Sequence, residues 1–191
     1  KIKKYIERKI SISNLSNCIR SEISIPLLDR FQRKIVFFHK PNFLDEFFSH
    51  PHVNKFIKQG PVTPDHVIRI KSKPLVLDFS NKKNINFEHE IEKAIRNYQQ
   101  AYSKYFLRNK KYNTNANILD LSPRIIIVKG MGIFSTGSSF KDAKIAMDVG
   151  LNSLSVILDA ANYGTYKSIP EKEIFRMEYW PLELAKIKTS T

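Results

Sequence analysis

The sequence predicts an α/β fold, because short apolar segments with strand character alternate with longer amphipathic segments of helical period. The clearest strand is the run Ile125 to Val128, which is apolar and β-branched throughout and is followed by a glycine corner at Gly130 to Gly132. The clearest helix extends from about Phe140 to Tyr163, with Ser139 as its capping residue and Asp142 three positions later. The other segments are placed around this strand, corner and helix.

The beginning of the chain carries weaker signals. Residues 1–30 are a poorly defined lead-in with Ser and Asn turns, in which we expect a helix over about 15–23. Lys34 to Phe38 is a predicted strand because it is rich in β-branched and aromatic residues. A helix is expected after Pro41, with one apolar face made of Phe43, Leu44, Phe47 and Phe48.

The histidines at positions 50 and 52 have the His-X-His spacing of a metal-binding pair. Such a pair needs extended chain to hold both imidazoles on one side of a metal ion, whereas Pro51 marks a break between two helical segments. Apolar residues from Val53 to Ile57 continue at helical spacing. We therefore expect His50 and His52 to lie at a solvated helix junction and to bind no functional metal.

A second histidine position has a stronger local context. Thr63 as N-cap and Pro64 at the first helical position predict a helix start. Asp65 and His66 then lie in the first turn, beside free N–H groups and the positive end of the helix dipole. A cationic imidazole is disfavoured there, so His66 tends to stay neutral and able to ligate a metal or accept a proton.

Basic residues follow His66 within two turns, at Arg69, Lys71 and Lys73. One interpretation is a site for an anionic ligand around His66. The other is a capping Asp65 followed by a surface histidine and solvated basic side chains. The spacing by itself favours the second interpretation.

The middle of the chain predicts one more strand and a long helix. Pro74 ends the preceding element, Leu75 to Phe79 is a predicted strand, and Asn81 to Asn86 is a predicted polar turn. The helix covers Phe87 to Leu107, and His89 lies off its apolar stripe, facing solvent. We assign the tyrosines of this stripe to core or interface packing instead of a stacking platform. The stripe consists of Ile91, Ala94, Ile95, Tyr98, Tyr102, Tyr105 and Phe106.

The C-terminal part is predicted to be structural. Lys110 to Asp120 is a predicted polar loop before the central strand, and Glu171 to Met177 is a predicted helix. A packed terminal segment follows and is interrupted at Pro181.

Composition limits the class of protein. The 191 residues suit one domain, or one domain and part of another. The formal net charge is +14 and the sequence pI is near 9.8, but the basic residues are scattered and accompany no nucleic-acid-binding motif, so we expect no nucleic-acid partner. The single cysteine, Cys18, excludes an internal disulfide and fits a reducing compartment.

Targeting signals are lacking in the sequence as given. No apolar run is long enough to span a bilayer, and no secretory signal is visible, so we expect a cytoplasmic protein without a membrane partner. Because the chain begins at Lys1 and not at Met, we expect its numbering to start inside a longer product.

Three segments resemble the class II aldolase/adducin family, and in particular the aldolase half of bifunctional rhamnulose-1-phosphate aldolase/short-chain dehydrogenases. These segments are Gly60 to His66, Pro123 to Gly137, and Glu178 to Lys186. The resemblance spans roughly residues 30–188 and covers only the C-terminal portion of that aldolase half. It divides the chain into a partial aldolase-like domain over 1–188 and a tail over 189–191, the start of a linker to a missing dehydrogenase domain.

The resemblance implies a three-layer fold, with a mixed β-sheet flanked by helices. It implies reversible retro-aldol cleavage of a ketose 1-phosphate, such as rhamnulose 1-phosphate, to dihydroxyacetone phosphate and an aldehyde. The expected cofactor is Zn²⁺, a Lewis acid that stabilises charge on the reacting oxygens, and NAD is expected only with a fused dehydrogenase. The expected partners are a sugar phosphate and further copies of the chain.

The chain departs from the family at the glycine corner. Where ordinary class II aldolases have a zinc-binding histidine between two glycines, this chain has Met131 between Gly130 and Gly132, and a thioether is a poor zinc ligand. We expect the two glycines to be required by backbone geometry and Met131 to pack. His66 is then the candidate third zinc ligand, and Arg69 and Lys71 are candidates for the substrate phosphate.

The upstream His-X-His pair and the acid/base carboxylate of the family are not recognisable in this sequence. The catalytic residues are therefore unknown, and we expect an incomplete site. The alternative function is a non-catalytic basic binding module on an adducin-like fold.

Overall fold

The centre of the fold is a five-stranded mixed sheet in the order β1-β2-β5-β4-β3. The computed structural model describes residues 19–26, 31–80 and 86–189. Strands β3 and β4 are parallel, and the pairs β1/β2, β2/β5 and β4/β5 are antiparallel. The strands are β1 Ile19–Pro26, β2 Phe31–His39, β3 Leu75–Leu77, β4 Ile125–Val128 and β5 Gly132–Gly137.

Helices cover both faces of this sheet. The two long ones lie on opposite sides, and the shorter ones complete the two layers. They are α1 Leu44–Ser49, α2 Val53–Phe56, α3 Pro64–Ile70, α4 Phe87–Asn109, α5 Phe140–Tyr163, α6 Glu171–Glu178 and α7 Pro181–Thr189. A 3-10 turn over Lys110–Tyr112 follows α4 directly.

Strand β4 shows how the layers form, because all four of its side chains are buried. Ile125 and Ile127 pack in the apolar cluster on the α5 face, together with Met147. Ile126 and Val128 pack in a second cluster, which includes Ile95 of α4. Alternating side chains of one strand therefore enter two cores, as expected for a strand covered on both sides.

The predicted architecture is confirmed: the chain is an α/β protein with a mixed sheet flanked by helices in three layers. The predicted strand Lys34 to Phe38 lies within β2, and the predicted helix Phe140 to Tyr163 has the observed bounds. Ser139 caps this helix, since its hydroxyl accepts from the Asp142 N–H at 3.1 Å. The helix expected from Phe87 is confirmed and extends to Asn109.

The predicted helix over 15–23 is wrong for the part of it that the structure describes. Ile19–Pro26 is a strand that pairs with β2 along its whole length, from Ile19 opposite Phe38 to Pro26 opposite Phe31. A continuous antiparallel partner decides the conformation here, and local sequence could not reveal it. Residues 15–18 lie outside the described residues, as do 81–85 of the predicted polar turn.

Strand β3 is shorter than predicted, since it ends at Leu77 and not at Phe79. The Asp78 carboxylate accepts from the Ser80 N–H at 2.9 Å and from the Ser80 hydroxyl at 2.6 Å. Such local bonds from an Asp side chain favour a turn over a continued ladder.

Both glycines of the corner are required by backbone geometry, as predicted. Gly130 has φ +74°, a conformation that favours glycine, and open space surrounds its α-carbon. Gly132 begins β5, and a Cβ there would lie 2.4 Å from the Phe38 ring and 3.0 Å from the His39 carbonyl oxygen. Met131 between them is half-buried and packs against the cluster on the α4 face.

Among the described residues, no helix is both long enough and apolar enough to cross a membrane.

The first prediction concerns the corner. Gly132→Ala should lower the free energy of unfolding by about 1–3 kcal/mol, because the new methyl group must displace the Phe38 ring or the β2 backbone. Gly130→Asn is the matched control. It should cost less, since open space surrounds Gly130 and Asn tolerates positive φ better than most residues. Urea denaturation of the three proteins measures both effects, and equal losses would contradict the steric argument.

Candidate functional site

His66 lies in the first turn of α3 and faces α5. Helix α3 begins at Pro64, as predicted, with Thr63 at the N-cap in extended conformation, although the Thr63 side chain makes no capping hydrogen bond. His66 is half-buried, and its Nδ1 lies 2.7 Å from the Ser153 hydroxyl of α5. Burial lowers the pKa of His66 and so favours a neutral imidazole. The negative charge of Asp65 acts in the opposite direction but is the smaller effect.

Arg69 lies one turn further along α3 and is half-buried. Its backbone carbonyl accepts from the Arg124 Nε at 3.0 Å, which joins the end of α3 to the residue before β4. The Arg124 guanidinium also forms a two-pronged ion pair with Asp142 near the start of α5, at 2.8 and 2.6 Å. The end of α3 is thus held by a fixed cation, while the predicted phosphate role of Arg69 stays a prediction.

Lys71 is placed differently from the basic residues of a surface site. Its side chain is only 6% exposed, and its Nζ donates to the Asp120 backbone carbonyl and lies 3.7 Å from the centre of the Tyr102 ring. Among the described residues other than glycine, Lys71 is the one with a positive φ, at +63°. Burial lowers the pKa of Lys71 to about 8, against the favourable charges of Glu178 and Asp120. The ammonium expected beside a substrate phosphate is therefore directed into the α4 layer.

In the part of the chain that the structure describes, His66 and Met131 lie on different faces of the sheet. His66 belongs to the layer of α5 through Ser153, whereas Met131 packs on the α4 face of the sheet. The cavity beside Ser153 has a volume of about 30 Å³. Another, beside the start of α3 and Tyr166, has a volume of about 90 Å³. Both are far smaller than the several hundred Å³ typical of ligand pockets, so neither encloses a sugar phosphate.

The described side chains do not contain a complete set of zinc ligands. Zinc sites in proteins use at least three His, Cys, Asp or Glu ligands, and no group of three occurs in residues 33–80 or 86–185. His50 and His52 flank the junction between α1 and α2, as predicted, with the His52 N–H donating to His50 Nδ1 at 3.2 Å. Their rings rest against Phe56. The zinc-ligand role of His66 stays a prediction.

A buried carboxylate surrounded by tyrosine hydroxyls is the most unusual chemical feature of the structure, and the sequence analysis did not predict it. Glu178, at the end of α6, is 1% exposed and accepts hydrogen bonds from Tyr102 at 2.7 Å and from Tyr105 at 2.9 Å. The Tyr179 hydroxyl lies 2.8 Å from that of Tyr102. We call Glu178 and these three tyrosines the tyrosine–carboxylate cluster.

Burial dominates the electrostatics of this cluster. It raises the pKa of Glu178, while the hydrogen bonds from two phenols and the charge of Lys71 favour the ionised form. Burial and the Glu178 charge raise the pKa of Tyr102 and of Tyr105, so both phenols remain protonated donors. Each of the two Glu178 carboxylate oxygens accepts from a phenol of α4, so the cluster links α6 to α4.

One sequence signal could have indicated this cluster. Tyr98, Tyr102 and Tyr105 repeat on one stripe of α4, and the buried phenols of Tyr102 and Tyr105 need acceptors. Glu178 lies at the end of the apolar stripe of α6, where a carboxylate is unexpected. Tyr102 and Tyr105 precede Glu178 by 76 and 73 residues, so only the fold connects the two observations.

Comparison with known proteins adds two findings. The family described as "Aldolase class II, second domain" matches residues 11–187. A Bacillus subtilis (strain 168) protein named "Uncharacterized oxidoreductase YuxG" is 29% identical over 130 residues, which is 67% of this chain and 19% of that protein. The aligned part of the chain thus spans about a fifth of the length of that relative.

The second prediction follows from the buried ammonium of Lys71. Because folding lowers its pKa to about 8, the unfolded chain binds more protons between about pH 8 and 10.5, and stability should rise with pH across this interval. The slope contributed by one such group cannot exceed about 1.4 kcal/mol per pH unit. Urea denaturation between about pH 8 and 9.5 stays below the ordinary pKa of tyrosine, near 10.

Lys71→Met should therefore reduce this slope, whereas the control Lys104→Met, at an exposed position of α4, should keep it. A slope in Lys71→Met that equals that of the natural protein would show that Lys71 is not the titrating group.

Proposed function

The chain belongs to the class II aldolase family, and from this membership we propose that it is a domain of an enzyme that reversibly cleaves a ketose 1-phosphate. The products would be dihydroxyacetone phosphate and an aldehyde, and the substrate would resemble rhamnulose 1-phosphate. The observation that carries the proposal is the family match, which covers residues 11–187 and describes the second domain of a class II aldolase, a lyase-type family. The fold, a mixed sheet between two helical layers, agrees with this family.

This domain would contribute to the site without containing all of it. The described residues lack a group of three zinc ligands, and the cavities at about 30 and 90 Å³ are too small for a sugar phosphate. A zinc ion of the family type would take its ligands from outside the described residues or from another domain or chain. The acid/base carboxylate would be supplied in the same way.

Within this domain, we assign the substrate side to the start and end of α3. Burial lowers the pKa of His66 and so favours its neutral form, and its hydrogen bond to Ser153 holds the half-buried ring where it would meet a reacting oxygen. Arg69, one turn away, would favour the substrate phosphate. Lys71 would not contact the substrate, because its Nζ already donates to the backbone carbonyl of Asp120. It would instead stabilise the end of α3 as a buried charge.

The wider context of the chain is part of the same proposal. The B. subtilis relative is named an oxidoreductase and is several times longer than the matched segment, which supports a dehydrogenase domain with NAD in the same polypeptide. We propose a homo-oligomer in the cytoplasm, without nucleic-acid or membrane partners.

A second candidate function is a non-catalytic basic binding module on the same fold. The lack of a three-ligand group among the described residues and the net charge of +14 favour it. Retro-aldol activity with bound zinc would exclude this alternative. Salt-sensitive binding of a polyanion by a zinc-free protein would support it.

The third prediction tests the proposed function in the protein at its natural length. Rhamnulose 1-phosphate should be cleaved, as measured by dihydroxyacetone phosphate release through a coupled reductase. His66→Ala should lower kcat/KM by roughly 100- to 1000-fold, equivalent to about 2.7–4 kcal/mol for loss of one well-placed stabilising group. The control His89→Ala, at an exposed position of α4, should retain activity.

Met131→Leu should also cost little, because this side chain only fills space on the α4 face. A protein with bound zinc that cleaves no ketose 1-phosphate would refute the proposed reaction. Full activity in His66→Ala would remove His66 from the site and leave the reaction standing.

A further inference from the structure

The Ser153 hydroxyl forms its hydrogen bond with a side chain of another helix and not with the backbone of its own helix. The residue is 4% exposed and lies on the face of α5 that meets α3. A serine in a helix commonly donates to the carbonyl four residues earlier, as Ser103 does to Gln99 at 2.9 Å in α4. Among the described residues, the hydrogen-bond partner of the Ser153 hydroxyl is instead the Nδ1 of His66, at 2.7 Å.

The direction of this hydrogen bond follows from the surroundings. A buried hydroxyl hydrogen needs an acceptor, and Nδ1 is the acceptor that the described chain offers to Ser153. The cavity beside Ser153 is small and lined mainly by apolar side chains, including Ile57, Ile125 and Ile157, so it is poorly suited to a competing water. Ser153 therefore donates, and Nδ1 accepts.

This direction fixes the tautomer of the imidazole. A neutral histidine that accepts at Nδ1 carries its proton on Nε2. Burial lowers the pKa of His66 and so favours the neutral ring, even though the Asp65 charge acts against it. Neither ring nitrogen then has a lone pair free for a metal, because Nδ1 is occupied by Ser153 and Nε2 is protonated.

We propose that Ser153 is a positioning residue that holds His66 as a neutral Nε2–H donor for an oxygen atom of a sugar phosphate, and that His66 is not a zinc ligand. The choice of ligand rests on the proposed function. A fixed N–H that meets an oxygen where negative charge develops stabilises that charge without a metal–nitrogen bond. Arg69, three residues along α3, lies beside His66 on the helix surface and adds positive charge for a phosphate group.

The test is the protonation state of each ring nitrogen of His66, observed by long-range proton–nitrogen NMR. The protein is labelled with ¹⁵N only at histidine, and His66→Gln assigns the signals. At neutral pH the natural protein should show Nε2 protonated and Nδ1 unprotonated. Ser153→Ala should shift the ring toward a mixture of tautomers, whereas Ser153→Thr, which keeps a hydroxyl group, should resemble the natural protein.

Two titrations of the natural protein complete the test. One equivalent of Zn²⁺ should leave both His66 nitrogen signals unchanged, and dihydroxyacetone phosphate should shift the Nε2–H signal. Inorganic phosphate, added in parallel, shows whether the phosphate group alone is sufficient, and a shift with either compound supports the oxygen ligand.

Several results would overturn the proposal. A predominant Nδ1–H tautomer, an unchanged tautomer in a folded Ser153→Ala, a zinc-induced shift of Nε2, or no response to either phosphate compound would each do so. If Ser153→Ala fails to fold, the spectrum and titrations of the natural protein still decide. Because no step of this experiment uses catalysis, an inactive protein with a fixed Nε2–H would refute the proposed reaction and leave the tautomer assignment intact.

Discussion

All four side chains of strand β4 are buried, and the rest of the molecule is arranged around this constraint. Its four side chains are between 0% and 7% exposed, so each face of the sheet must be covered by an apolar helix. The cover on one face is α5, which approaches so closely that a Cβ at Gly150 would lie 2.7 Å from an Ile125 methyl group. The cover on the other face is α4, through Ile95 and its neighbours. Neighbouring strands and the glycine corner are then confined to the space between two helical layers.

The buried polar groups lie where the helices that cover the sheet meet other elements. Helix α4 continues beyond the sheet, and its last turns pack on α6 through Tyr102, Tyr105 and Phe106. The two buried phenols of Tyr102 and Tyr105 require acceptors, and the Glu178 carboxylate accepts from both at the cost of its own desolvation. A buried carboxylate of this kind contributes little net stability, but its two hydrogen bonds join α4 to α6. The ion pair of Arg124 with Asp142 fixes the start of α5 against β4 in a similar manner.

Local signals were sufficient for much of this fold, and their failures have a common cause. The strand at Ile125–Val128, the helix Phe140–Tyr163 and the start of α3 at Pro64 each carry their own period, cap or proline, so the sequence predicts them closely. Strand β1 carries no such signal, because its conformation comes from pairing with β2. The tyrosine–carboxylate cluster was missed for the same reason, since its members come from distant segments. The zinc-ligand hypothesis for His66 came from the family resemblance, since spacing alone favoured a surface histidine, and it stays a prediction.

The Ser153 hydroxyl of α5 restricts the chemical roles that the position of His66 at a helix start leaves open. Position in the first turn of a helix favours a neutral ring, and this is as far as the sequence can go, because a neutral imidazole can ligate a metal, accept a proton or donate one. The hydroxyl that crosses from α5 separates these roles, since a hydrogen bond to Nδ1 leaves a proton on Nε2. The serine is in turn placed by α5, which is held against β4 by the burial of Ile125 and Ile127. The chemistry open to His66 is therefore determined by the same two-sided burial that organises the sheet.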